Sequence, residues 1–245
     1  MFNKIDELQK KLDKQRLLHP AILKKVEEDL ILRWTYHSNA IAGNTLTLLE
    51  NKVVLEGISV GGKRIRELFE VLNHRNAIYY VEDIARKDEI FSEWQIKKIH
   101  QLIFKNIDDK NGGNYRQKNT LIPNAIATSP DYTLINEKIY KLIEWYHFEA
   151  YQLHPIERAA KIHIDFSRIQ PFTDGNGRVS RLLMNLELLK AGYPPCIITV
   201  ENRLAYYDAL SESICSGKTE GFIKIVIEST IYGFKLYEFI LNSYE

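Results

Sequence analysis

The residues best suited to chemistry lie in one segment, Ile169-Gln170-Pro171-Phe172-Thr173-Asp174-Gly175-Asn176-Gly177-Arg178-Val179-Ser180-Arg181. An apolar helical run comes directly after it, with Leu182, Leu183, Met184, Leu186, Leu188 and Leu189. A glycine loop feeding a helix N-terminus presents backbone N–H groups and a positive dipole end to an anion. Arg178 and Arg181 add the charge-assisted hydrogen bonds that phosphate favours. Asp174 is suited to Mg²⁺, which takes one or two carboxylates together with phosphate oxygens. The segment therefore reads as a site for a nucleotide polyphosphate and its metal. A plain glycine turn capping a core helix would need neither both arginines nor the Asp174–Asn176 pair.

The elements that must position this segment are almost all helical by their spacing. Helical periodicity is expected over residues 2–18, from Ile22 to Ser38 with Pro20 a candidate start, and from Lys63 to Arg86. It returns from Ser92, over 134–145, and from Pro155 to Ile169. Pro194-Pro195 ends the helix after the glycine loop, and helices over 202–214 and 220–242 complete the chain. Gly43-Asn44 breaks the second helix, with Gly43 in the left-handed cap position. Thr45, Thr47 or Ser59 is a candidate cap for the next helix. Residues 57–62 form a loop, and 114–131 is the one irregular or extended stretch. The β-branched run Cys196-Ile197-Ile198-Thr199-Val200 is a candidate strand, too short to change the class. Trp34, Trp94 and Trp145 are assigned to the core.

The 245 residues suit one large domain or a domain with a helical extension. A hydrophobic content of 45% and 27% charged residues are ordinary for a globular chain. A net charge of +1 argues against nucleic-acid binding by bulk charge. Two cysteines, Cys196 and Cys215, make neither a disulfide framework nor a zinc site and suit a reducing, cytoplasmic setting. No apolar run reaches the length of a membrane span, and the charged, alternating residues 1–16 do not read as a signal peptide.

Residues 170–181, Q-P-F-T-D-G-N-G-R-V-S-R, resemble the signature of the Fic (filamentation induced by cAMP) family, H-P-F-x-D-G-N-G-R-x-x-R. Gly192-Tyr193-Pro194-Pro195 downstream is similar to that family as well. Ser38-Asn39-Ala40-Ile41-Ala42-Gly43-Asn44 resembles its inhibitory motif, [ST]-x-x-x-E-[GN]. Gly113-Asn114-Tyr115-Arg116 and the extended stretch after it resemble its flap. The three motifs in order span about 34–227.

The resemblance implies an all-α Fic-type helical domain with a short β-hairpin flap and an N-terminal helical extension. The expected division is 1–60 for the N-terminal helices with the inhibitory motif and 61–245 for the catalytic domain. It implies transfer of AMP from ATP to a Ser, Thr or Tyr hydroxyl of a protein target, with self-modification and a homodimer among the expected partnerships. Thr173, Gly175, Asn176, Gly177, Arg178 and Arg181 would hold the phosphates, Asp174 the Mg²⁺, and Tyr206 and Tyr207 the adenine, with core packing the equal alternative for this tyrosine pair. Ile214 departs from an asparagine that some relatives use on the base. Asn119, Thr120, Leu121 and Ile122 would pair with the target backbone as an added strand. Ser38, Ala42, Gly43 and Asn44 would be regulatory. A kinase-like reversed ATP orientation is disfavoured, because relatives of that type carry a shorter, altered motif.

Two departures pull in opposite directions. Gln170 stands where the family places its general base, and a carboxamide cannot take a proton at neutral pH. Such a loss costs roughly 10²- to 10⁴-fold. His163 and His154 are expected to be structural rather than substitutes. Ala42 stands where the family's inhibitory glutamate pairs with the second arginine, Arg181 here, so the brake is expected to be off. The combination suits a natural degenerate member or an engineered trap, with the balance toward engineering. The alternative function is a catalytically inactive, nucleotide-dependent protein-binding module.

Overall fold

A computed structural model describes residues 2–15, 20–121 and 128–243. The described residues form ten α-helices: α1 Asn3–Gln15, α2 Pro20–Ile41, α3 Leu48–Leu55, α4 Ile65–Arg86, α5 Glu93–Phe104, α6 Ile135–Phe148, α7 Pro155–Ile169, α8 Asn176–Lys190, α9 Arg203–Ser216 and α10 Glu220–Asn242. The all-α expectation holds. Between α5 and α6, where irregular chain was expected, one antiparallel bridge joins Leu121 to Thr128.

The helix ends obey their sequence signals. Gly43, with φ of 100°, closes α2: its N–H reaches Ala40 O and the Asn44 N–H reaches Asn39 O. Thr47, among the three candidates, caps α3 in a reciprocal box with Glu50. Pro155 opens α7 and His154 accepts from the Ile156 N–H. The long fourth helix starts at Ile65, two residues later than its periodicity suggested.

The core is built around α7 and α8. One cluster takes Ile162 and Phe166 from α7, Val179, Leu182, Leu183 and Leu186 from α8, and apolar faces of α2, α4, α5 and α6. A second takes the other side of the same two helices, with Ile164, Met184 and Leu188 packed on Tyr206, Phe222 and Val226. The run of α8 after the motif is therefore mostly apolar because it is buried on both sides.

Two expectations are corrected. Residues 196–200 form no strand; the Asn185 carboxamide takes both the N–H and the C=O of Cys196, substituting for a ladder partner. Trp94 is exposed at 63% and meets Tyr80 edge-on, because it sits on the outer face of α5. Trp34 is buried as expected, and Trp145 is half-buried under the Lys161 ammonium. No helix among the described residues is long and apolar enough to cross a membrane.

Candidate nucleotide site

The motif loop joins α7 to α8, and each end is set by a left-handed residue. Gln170 ends α7 at φ 47°, ψ 58°, an uncommon conformation for a residue with a Cβ. Its Nε2 donates to Ser167 O at 2.8 Å. Its own carbonyl accepts from Arg116 Nε at 2.7 Å, and the Arg116 N–H reaches Pro171 O. Gly175 caps α8 at φ 78°. A Cβ there would lie 2.5 Å from the Phe104 ring, so glycine is required for both space and conformation.

Inside the loop, Phe172 is fully buried and stacks on His100 with centroids 3.7 Å apart. His100 Nε2 bonds Asp174 O at 3.1 Å while its Nδ1 accepts the Gly113 N–H at 2.8 Å. Burial pulls the His100 pKa down to about 4, with the Asp174 carbonyl opposing and Arg178 assisting. The ring is therefore neutral, a donor on one side and an acceptor on the other. Asn176 uses both ends of its carboxamide on the backbone of Phe172. Its side chain thus braces the loop, and what it offers outward is its N–H at the first position of α8.

The loop faces a cavity of about 290 Å³. Asp174, Gly175, Gly177, Arg178 and Arg181 form one wall, and Tyr206, Tyr207 and Leu210 of α9 another. Gln170, Thr173, Thr120, Leu121, Ile41 and Ala42 also line it, as do Ser167, Asn176 and Arg203. Among the described residues, those predicted from the sequence thus converge, apart from Ser38, Gly43, Asn44 and Asn119.

Arg178 is 4% exposed, lies over the Phe104 ring and pairs with Glu70 at 3.3 Å. Burial pulls its guanidinium below the ordinary value, with Glu70 and Asp174 pulling it back. Its Nε is buried with no partner. Arg181 is equally buried and meets neutral acceptors: Ser38 O at 2.8 Å, Ser38 Oγ at 3.1 Å and Tyr206 OH at 3.3 Å. Ala42 lines the same cavity and offers it no carboxylate. Ser38 thereby ties the C-terminal end of α2 to Arg181. Gly43 and Asn44 shape the turn beyond it, Asn44 through bonds to Glu67 O and Glu70.

His163 is fully buried with Nε2 on Ser180 Oγ and Tyr206 OH. Burial beside Arg181 holds its pKa well below the usual range. His154 stacks on Phe2 and bonds Asp6. Both histidines are structural, as expected. Tyr206 is buried with its hydroxyl held between His163 and Arg181, and Tyr207 reaches Ile41 O. Ile214 packs against the second core cluster.

In the flap, Asn119 braces Asp131 and the Tyr132 N–H, while Thr120 O accepts from Ser129 Oγ. Ile122 lies outside the described residues. Arg116, 5% exposed, binds Lys118 O, Ser129 Oγ and Pro130 O as well as Gln170 O, so one guanidinium joins the flap base to the motif.

Sequence reasoning missed Arg66 and Glu70. They lie one turn apart at the start of α4 and bond Asp174 and Arg178. An i,i+4 Arg–Glu pair on a helix reads as an ordinary surface pair, so no local signal marks it. His100 was equally silent among the apolar residues of α5.

A Fic/DOC family model matches residues 90–188. The protein adenylyltransferase Fic of Culex quinquefasciatus is 32% identical over 240 residues, 96% of this chain and 47% of that protein. That of Nematostella vectensis is 34% identical over 94% of this chain and 54% of that protein. The chain spans about half the length of these curated relatives. The solved structure of Fic-1 from Caenorhabditis elegans matches with a TM-score of 0.89 at 29% identity, over 100% of this chain and 72% of that one. A Fic domain containing signaling protein from Bacteroides thetaiotaomicron matches at 0.83 and 26%, over 96% of both chains. With its motif loop inside the matched region and its whole helical frame reproduced in solved relatives, this chain belongs to the Fic/DOC family.

Proposed function

We propose that this chain binds ATP with Mg²⁺ at the 174–181 loop and is a protein adenylyltransferase with very slow turnover. The observation that carries the reading is the cavity at the α8 N-terminus, where the buried Nε of Arg178 has no partner. An orphaned guanidinium N–H beside free helix N-terminal amides is what a phosphate oxygen satisfies. Relatives named protein adenylyltransferase support AMP as the transferred group.

The donor set suits Mg²⁺. No cluster of three or more metal-ligating side chains occurs among the described residues. Asp174, however, points a half-exposed carboxylate at the cavity mouth, and phosphate oxygens and water complete an octahedral shell in such sites. When bound, the ion offsets phosphate charge and polarises the phosphoryl group. The amides at the start of α8 hold the diphosphate, Arg178 and Arg181 neutralise the leaving pyrophosphate, and Tyr206 and Tyr207 flank the base. Asn119, Thr120 and Leu121 align the target backbone.

In the reaction the target hydroxyl oxygen bonds the α-phosphorus, the α–β bridging bond breaks, and pyrophosphate leaves. The hydroxyl proton needs an acceptor, and the carboxamide of Gln170 is none. His163 does not line the cavity, and its Nε2 is taken. Cys196 and Cys215 are unpaired, which suits a cytoplasmic setting.

Gln170 also favours a second reading, a nucleotide-dependent binding module without turnover. Gln170→His separates the two. Histidine tolerates the left-handed conformation at least as well as glutamine, so the loop should survive. The transferase reading expects incorporation of labelled AMP, into the chain itself or into lysate proteins, to rise at least about 10²-fold. ATP binding with no label transfer by either form would establish the module instead.

A further inference from the structure

We propose that Arg66 is a phosphate-binding residue of this site, one that selects a nucleoside triphosphate over a monophosphate by gripping the outer phosphates. The proposal rests on the nucleotide reading of the cavity.

Arg66 enters from α4, outside the motif. Its Nη2 donates to Asp174 Oδ2 at 2.9 Å and its Nε to Glu70 Oε1 at 3.2 Å. Glu70 Oε1 also meets Arg178 Nη1 at 3.3 Å, and Arg178 Nη2 lies 4.0 Å from Asp174 Oδ1. The four groups close a ring of alternating charge, Arg66–Asp174–Arg178–Glu70. The ring is neutral while Asp174 belongs to it. Once the Asp174 carboxylate turns to a divalent cation, two guanidiniums and one carboxylate remain, and the mouth of the cavity becomes cationic.

The two contacts of Arg66 differ in strength. The Asp174 pair is exposed, at 53% and 57%, and exposed pairs contribute little. Glu70 is 12% exposed and anchored by Arg178, so its hold on Nε is the firmer one. Release from Asp174 therefore leaves the guanidinium tethered by Nε, with both Nη groups free to donate. Arg66 also lines, with Ala42, Arg64 and Glu67, an opening that adjoins the nucleotide cavity at Ala42. Phosphates beyond the α position, held on the side of Asp174 and Arg181, come within its reach; the phosphate of AMP does not need it.

The test is titration calorimetry on the full chain with two probes, ATP plus Mg²⁺ and AMP. Arg66→Ala should weaken ATP binding about tenfold, the effect of losing one partly exposed charged donor, and leave AMP binding unchanged. Arg66→Lys, which keeps the charge but not the fork, should recover part of the loss. AMP binding doubles as the control for a folded pocket. Tighter ATP binding by Arg66→Ala would mean that the Asp174 contact is a lock and overturn the proposal. Unchanged ATP affinity, or an equal loss for both nucleotides, would overturn it as well. Wild-type protein that binds neither nucleotide would overturn the nucleotide reading, and this proposal with it.

Discussion

Ala42→Glu should weaken ATP binding by placing a carboxylate beside Arg181. Ala42 is exposed in the turn after α2 and lines the nucleotide cavity, so the larger side chain enters open space. Arg181 is 4% exposed and its partners are the neutral oxygens of Ser38 and Tyr206. A hydrogen bond between ionised groups contributes about 1.5–3 kcal/mol, against about 0.5–1.5 for a neutral acceptor. A triphosphate that needs Arg181 must displace that carboxylate, so Mg–ATP affinity should fall about ten- to hundredfold. AMP, which lacks the outer phosphates, should lose much less. Calorimetry on wild type, Ala42→Glu and Ala42→Gln measures this. The Gln variant has the same shape without the charge and should stay within about threefold of wild type. If Ala42→Glu binds ATP as tightly as wild type, the pairing with Arg181 does not form. If the Gln variant loses as much as the Glu variant, the effect is steric and the electrostatic reasoning is wrong.

Gly175→Ala should destabilise the fold by on the order of 3 kcal/mol, from the left-handed φ together with a Cβ 2.5 Å from the Phe104 ring. Gly177→Ala, inside α8 and meeting only Arg181 Nη1 at 3.4 Å, should shift stability by less than about 1 kcal/mol in a denaturant titration, with helix propensity favouring alanine; equal losses would show that the Phe104 contact is not what demands glycine. Stability should fall as pH drops below about 6.5, the ordinary histidine value. Burial lowers the pKa of His100 to about 4 and of His74 and His163 well below 6.5, so the unfolded chain takes up protons that the native one does not. Each such histidine contributes a slope of up to about 1.4 kcal/mol per pH unit between its two values. Glu82, raised to about 7 by burial beside Glu27, acts in the opposite sense between 4.5 and 7. Three histidines outweigh one carboxyl, and urea unfolding at pH values of about 7, 6 and 5 that showed flat or rising stability would refute the balance.

What the sequence made legible was local. The boundaries of α7 and α10, the Gly43 cap, the Thr47 cap and the loop at 174–181 all arise from residues within one or two turns of one another. The misses have a common cause. Arg66 and Glu70 are 108 residues from their partners Asp174 and Arg178, and nothing on their own helix marks them as anything but a surface pair. Asn176 was read by its neighbours as a phosphate ligand, yet its side chain closes the loop on Phe172. Its residue type told of hydrogen bonding without telling which partner. Trp94 is expected in the core, whereas the face of α5 it occupies points to solvent.

The two departures from the family pattern occupy positions whose backbone is held by other residues. At 170, the left-handed conformation is secured by Arg116 Nε on the carbonyl and by the side chain's own bond to Ser167 O. Neither contact needs a basic nitrogen, so the loop keeps its shape with a carboxamide at this position. At 42, the turn is made by Gly43 and by Asn44, whose side chain binds Glu67 and Glu70 across to α4 and caps the Leu46 N–H. Ser38, four residues earlier, keeps Arg181 aimed through two hydrogen bonds. The alanine therefore removes a charge and leaves the turn standing. At both places the backbone is held by contacts from other residues, which is why glutamine at 170 and alanine at 42 leave the loop and the turn intact around the cavity.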